Sequence, residues 1–142
     1  MLCALGTKVI RKNTIQSNGT RNLIRAMEKH GVRRFVCETS LDVGDSKGQL
    51  GPVFRYLVRT TFLRNIFADK ELQEQIIRSS SLDWVIVRPA MLTDGPKTGS
   101  YRAFFAANET GKREVSRADV ADFMLKQVTD DSFLRKTPGL SY

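Results

Sequence analysis

The stretch LDWVIVRPAMLTDGPKTGSY, residues 82–101, decides how the chain is read. Trp84, Val85, Ile86 and Val87 form a short run of bulky apolar residues, stopped by Arg88-Pro89. A strand buried on both faces has this pattern, a brief continuous apolar run bounded by turn signals. A loop rich in Gly, Thr and Asp follows it. In open α/β sheets a ligand sits outside the carboxyl ends of the strands. Pro89, Ala90, Met91 and Leu92 are therefore predicted to lie where the reactive end of a nucleotide cofactor would go.

The surrounding chain can supply such a sheet. Its 142 residues suffice for a single domain, residues 1–142, with a real core. Hydrophobic residues make up 41% and charged residues 27%, a balance that excludes a disordered chain. No window approaches the roughly 20 consecutive apolar residues of a membrane helix. The start, MLCALGTKVIRK, lacks the pattern of a signal peptide, so a cytoplasmic protein with no membrane partner is expected. Cys3 and Cys37 fall in predicted strands and belong to no paired-cysteine motif. They read as buried small hydrophobes in a reducing compartment, not as metal ligands. His30 is the only histidine, which argues against a His-based catalytic pair. The net charge of +8, from 23 Lys and Arg against 15 Asp and Glu, raises the question of nucleic acid. The basic residues are dispersed, however, and aromatics do not alternate with them. A solvated basic face that helps attract a phosphorylated ligand is the better reading, with no nucleic-acid partner.

Residues 2–5 form an apolar run closed by Gly6-Thr7 and predict a first strand. Ser17 reads as an N-cap, and Thr20, Leu23, Ile24 and Met27 make one helical stripe that ends at Gly31. Arg34 begins a second strand that ends in Glu38-Thr39-Ser40. Residues 42–52 carry Gly44, Gly48 and Gly51 without the spacing of a phosphate loop. They read as flexible surface, either a substrate-side loop or a plain linker. Phe54, Leu57, Val58, Thr61 and Phe62 give another stripe, expected to pack on the sheet rather than lie on a membrane. Residues 69–80 form a further helix, with Leu72 and Ile76 one turn apart and Lys70 and Glu74 pairing on its exposed face. Residues 112–115 predict a weak strand. Ser116-Arg117-Ala118-Asp119 is a capping box, and Val120, Phe123, Met124 and Val128 continue that helix on one face. The tail from Asp130 is expected to close over the surface. Strands alternating with helices imply an α/β fold with a mostly parallel sheet and right-handed crossovers.

A set of short elements adds a resemblance. They are Ala4-Leu5-Gly6-Thr7; Gly19-Thr20-Arg21-Asn22 leading into Ala26-Met27; His30-Gly31-Val32; Thr39-Ser40; Ser80-Ser81-Leu82-Asp83; Thr98-Gly99-Ser100-Tyr101; and Asp119 with Phe123-Met124-Leu125. In this order and spacing, over almost the whole chain, they resemble the NAD(P)-binding, atypical short-chain dehydrogenase/reductase group. The chain is most similar to its flavin reductase, or biliverdin-IXβ reductase, branch. The resemblance implies a partial Rossmann-like three-layer fold in which residues 2–5 match the family's fourth strand. The G-x-x-G-x-x-G turn that grips the pyrophosphate is not among these residues. The first βαβαβ half, roughly 70 residues, is thus expected to be missing. In the order 3-2-1-4-5-6 the fourth strand pairs with the first. Residues 2–5 are then expected at an exposed sheet edge that invites self-association.

For function, the resemblance implies an NAD(P)H-dependent oxidoreductase that passes hydride to a flavin or a tetrapyrrole-like acceptor, with NADP(H) or NAD(H) as cofactor. A small-molecule substrate, a flavin among the candidates, is the partner implied. By matching position, Ala4, Leu5, Gly6, Thr7 and Lys8 would flank the adenosine and phosphate part. Thr39 and Ser40 would lie beside the nicotinamide ribose, with Ser40 donating a hydrogen bond or relaying a proton. Lys70 would hold the ribose hydroxyls, and Pro89, Ala90, Met91 and Leu92 would line the nicotinamide. Ser40 and Lys70 are the catalytic candidates. Ser40 reads equally as a strand-end cap and Lys70 as a surface lysine, while Arg88 reads as a structural ion-pair partner rather than a substrate clamp. Four residues before Lys70 stands Ile66, where the wider family has tyrosine, which disfavours ordinary carbonyl reduction. The alternative function is a non-catalytic, reductase-derived binding or interaction module.

Overall fold

The computed structural model describes residues 1–7, 14–47, 49, 51–61, 63–105 and 112–142, without the side chains of 54, 55, 58 and 59. Its elements are β1 (Leu2–Cys3), α1 (Ile15–Lys29), β2 (Arg34–Glu38), a 3-10 turn (Gly44–Ser46), α2 (Pro52–Thr60), α3 (Leu63–Arg78), β3 (Asp83–Pro89), β4 (Met91–Thr93), β5 (Arg102–Phe104), β6 (Glu114–Ser116), α4 (Arg117–Lys126) and β7 (Gly139–Ser141).

Strand alternation builds two cores on the two faces of one sheet. Phe35 and Cys37 of β2 and Trp84 and Ile86 of β3 turn toward α1 and α3, where they meet Ile24, Met27 and Ile77. Val36, Val85 and Val87 turn the other way, toward Val120, Phe123 and Met124 of α4. The strand order is β1-β2-β3-β7-β5, parallel except for the antiparallel β5–β7 pair. Helix, sheet and helix make the three layers of a Rossmann-like α/β fold.

α1 ends as its sequence predicts. Gly31, at φ +68°, takes the left-handed position, and Val32 N–H bonds the Met27 carbonyl at 2.9 Å. Its start departs from expectation. The helix begins at Ile15, and Ser17 lies buried inside its first turn. The cap comes from α3: Asp69 accepts from the N–H groups of Gln16 (2.9 Å) and Ser17 (3.4 Å) and from the Ser17 hydroxyl. A carboxylate there satisfies orphan donors and the helix dipole together.

α3 also reverses its expected face. Leu72 is 38% exposed, whereas Asp69, Gln73, Glu74 and Ile77 are buried. Asp69 and Glu74 find partners on α1 and the sheet, and the Gln73 amide nitrogen donates to Thr20 Oγ1 at 2.9 Å while its buried Oε1 has no hydrogen-bond partner. Of the stripe expected to cover the sheet from α2, Phe54, Val58 and Phe62 lie outside the described side chains. Leu57 is 43% exposed, and α2 packs on α3. The loop expected to be flexible surface is instead buried in its first half, at Leu41, Asp42, Val43 and Ser46.

The largest departure is the tail. Residues 139–141 do not lie over the surface. They form β7, buried and hydrogen-bonded between β3 and β5. Three residues are too few for periodicity to register. Gly139 is needed there: a Cβ would sit 2.6 Å from the Phe104 ring that covers it from β5. Residues 91–93, expected as loop, form β4 and pair in parallel with β6.

Asp119 ties the tail to α4. Ser116 caps the helix by accepting from Asp119 N–H at 3.0 Å. The Asp119 carboxylate accepts from the N–H groups of Thr98 and Gly99, the Thr98 hydroxyl and the Tyr142 hydroxyl, at 2.7–2.9 Å. Burial alone would raise this carboxyl, but the bonds from Gly99, Tyr142 and Thr98 hold it well below the usual carboxylate range. A depressed carboxyl contributes stability above its unfolded value near 4, and that contribution is lost as pH falls. The urea midpoint is therefore expected to drop between about pH 4 and pH 2. Asp119→Asn should be less stable at pH 7 and show a shallower drop; an unchanged slope would contradict this role.

Candidate functional site

A cleft of about 910 Å³ opens at the carboxyl ends of β1, β2 and β3. Each strand end delivers one segment to it. Ala4, Leu5, Gly6 and Thr7 leave β1; Glu38, Thr39 and Ser40 close β2; Pro89, Ala90, Met91 and Leu92 run from β3 into β4. Ile66, Phe67 and Lys70 enter from α3, and Arg117, Val120 and Met124 from α4. The residues singled out from the sequence thus converge on one cleft, with the exception of Lys8, which lies outside the described residues.

The floor is positioned by a buried ion pair. Arg88, 3% exposed, donates to both Glu74 oxygens, at 2.9 Å from Nε and 2.6 Å from the guanidinium terminus. Thr39 donates its hydroxyl to the same Glu74 carboxylate at 2.8 Å. Arg88 is accordingly a structural partner, and Glu74 does not pair with Lys70 on an exposed face. Asp45 joins the pair from the turn after Gly44. Gly44 stands at φ +59°, and a Cβ there would lie 2.9 Å from the Arg88 guanidinium. Only glycine fits both the conformation and the space.

Lys70 reaches over this floor and donates to the Thr39 carbonyl at 2.8 Å. Burial pushes its ammonium down, and the Glu38 carboxylate works against that shift. Burial pushes the Glu38 carboxyl up, opposed by Lys70 and Arg117. Gln16, at the start of α1, donates to the Leu5 carbonyl at 3.4 Å, while its buried Oε1 has no hydrogen-bond partner. Ile66 lines the cleft one turn before Lys70, so no phenol stands there. In the first turn of α1, Asp69 already occupies the N–H groups of Gln16 and Ser17 and sets a carboxylate where a phosphate would bind. Among the described residues no group of His, Cys, Asp and Glu could hold a metal.

Sequence reasoning missed Gln16, Glu38 and Arg117. Glu38 had one signal, its place directly before Thr39-Ser40 at the end of a strand. Arg117 read only as the first residue of a capped helix, and Gln16 only as the residue before the expected N-cap, Ser17.

Comparison with known proteins fits this geometry. Residues 1–131 match a family model described as NAD(P)H-binding. The UPF0659 protein YMR090W of Saccharomyces cerevisiae is 26% identical over 130 residues, covering 89% of this chain and 54% of that protein. The uncharacterized chloroplastic protein At2g34460 of Arabidopsis thaliana is 33% identical over 106 residues, covering 70% and 37%. ChuY of Escherichia coli O157:H7, named an anaerobilin reductase, superposes with a TM-score of 0.71 at 26% identity, covering 92% of this chain and 60% of that one. The chain spans about half or less of the length of these two curated relatives.

The floor can be tested by stability. Removing Glu74 leaves a buried guanidinium, whereas the Asp45 side chain is 68% exposed. Glu74→Ala is expected to cost about 3 kcal/mol and Asp45→Ala less than about 1 kcal/mol. Urea unfolding of the two variants decides it, and equal losses would speak against Glu74 as the anchor.

Proposed function

The chain belongs to the NAD(P)H-binding family, and on that ground we propose that it holds the nicotinamide side of an NAD(P)H-dependent reductase acting on a flavin or tetrapyrrole-like acceptor. The observation that carries this reading is the convergence of Ser40, Lys70 and Pro89 to Leu92 on one cleft at the carboxyl ends of β1, β2 and β3. The residues fit the nicotinamide half of the cofactor. Lys70 presents ammonium protons suited to ribose hydroxyls, and the Ser40 hydroxyl lies in the same lining. The buried Gln16 Oε1 lacks a donor, which a carboxamide or a sugar hydroxyl would supply. Ala90, Met91 and Leu92 offer a mostly apolar wall for a planar ring.

When bound, the cofactor supplies the hydride, and the protein supplies orientation and electrostatics. Lys70, kept in place by the Thr39 carbonyl, orients the ribose and lends positive charge near the reacting ring. Ile66 and Phe67 add apolar lining beside Lys70 that helps exclude water from the cleft. With isoleucine at 66, acceptors that can be protonated without a tyrosine acid are favoured, as a flavin is. ChuY, named an anaerobilin reductase, supports the wider acceptor class. The cofactor's phosphates need donors beyond those of this cleft, since Asp69 fills the N-terminus of α1.

NADPH fluorescence gives the test. Micromolar binding is expected, weakened at least about 10-fold, or about 1.4 kcal/mol, by Lys70→Met. A folded protein that leaves NADPH fluorescence unchanged at millimolar cofactor would overturn the reading and favour a non-catalytic interaction module. We also take β1 as the edge through which copies associate, because it pairs only with β2 among the described residues and Leu2 is 40% exposed. Sedimentation should show a concentration-dependent dimer; a strict monomer at high micromolar concentration would exclude it.

A further inference from the structure

Among the described residues that line the cleft, Glu38 is the only carboxylic acid. It is the last residue of β2, half-buried, on the face of the strand opposite Cys37. Other acids are committed: Asp69 to α1, Glu74 to Arg88 and Thr39, Asp45 to Arg88, and Asp119 to the residues 98–99 loop and Tyr142. The Glu38 carboxyl has no hydrogen bond or ion pair among the described residues. An acid in a largely apolar cleft with no direct hydrogen-bond partner among the described residues, only the cations of Lys70 and Arg117 nearby, is unusual unless a ligand or a proton satisfies it. It stands directly before Thr39-Ser40 and opens into the same space as Lys70 and Pro89 to Leu92.

We propose that Glu38 is the proton donor that completes reduction of the acceptor in this cleft, taking the part that Ile66 cannot play. The proposal rests on the reductase reading above. In the reaction the C4–H bond of the nicotinamide breaks, and its proton and two electrons form one new bond to hydrogen on the acceptor. The nicotinamide is oxidised and the acceptor reduced. The electron pair displaced onto a nitrogen or oxygen of the acceptor takes the Glu38 proton, so that one O–H bond breaks and one N–H or O–H bond forms. The carboxylate left behind lies near the cations of Lys70 and Arg117 and regains its proton from water. The charged groups near Glu38 are Lys70 from α3 and Arg117 from α4, its register partner on β3 is Val87, and the thiols of Cys3 and Cys37 lie on the other face of the sheet. Burial outweighs the two cations and pushes the carboxyl up, the direction an acid working near neutral pH requires.

Two measurements test this. In the free protein, carboxyl-labelled with 13C at glutamate, one signal should titrate above the ordinary glutamate value of about 4.3. It should be missing in Glu38→Gln and move to higher pH in Lys70→Met. In stopped-flow single turnovers of NADPH with FMN, the wild-type rate should fall as pH rises through that value. Glu38→Gln should be slower by about 100-fold and lose that limb, with NADPH affinity within about twofold of wild type, while Glu38→Asp keeps the limb. An ordinary titration of Glu38, or a Glu38→Gln turnover that keeps its rate and limb, overturns the assignment alone. Absence of NADPH binding by the wild type overturns the reductase reading and this inference with it.

Discussion

Glu74 and Arg88 meet where three elements must agree. The bidentate pair joins α3 to the end of β3, and Thr39 adds the end of β2 through the same carboxylate. Buried ion pairs contribute little net stability, because desolvation offsets the attraction. Their effect is positional: any shift of α3 along the sheet would leave a buried charge unpaired. The consequence reaches the cleft directly. With its hydroxyl held by Glu74, Thr39 turns its carbonyl to Lys70. One ion pair therefore sets the height of Lys70 above the sheet, the turn at Gly44 and the point where β3 hands over to the residues after Pro89.

The inner face of α3 extends the same principle. Asp69 caps α1, Gln73 meets Thr20, and Glu74 meets Arg88. These are long-range contacts that a local window does not see. Reading residues 69–80 by hydrophobicity points Leu72 inward and Lys70 and Glu74 outward, the reverse of what the fold does. The apolar strands had no such ambiguity. Phe35 to Cys37 and Trp84 to Val87 are buried on both faces, so their continuous apolar runs were legible without any partner in view. Gly31 and Ser116 were legible for another reason, since caps are set by chemistry within a few residues.

The candidate site was legible where it follows strand ends. Residues 89–92 follow from where an α/β sheet places its ligands, whereas residues 4–7 and 39–40 and Lys70 came from resemblance. Glu38 and Arg117 were hidden by their company. A polar residue at a strand end and an arginine in a capped first turn look like ordinary surface until the sheet and α4 bring them into one lining.

β7 gives the molecule an order of assembly. β1, β2 and β3 pair with one another and all precede residues 139–141 in the chain. Among the described residues β5 has only β7 for a neighbour in its sheet, and β7 has β3 on its other side. Although β5 comes earlier in the chain, it cannot enter the sheet until residues 139–141 have docked. A ribosome-bound chain lacking those residues would present the bare flank of β3, together with an unshielded Phe104, to whatever the cell provides to hold nascent proteins.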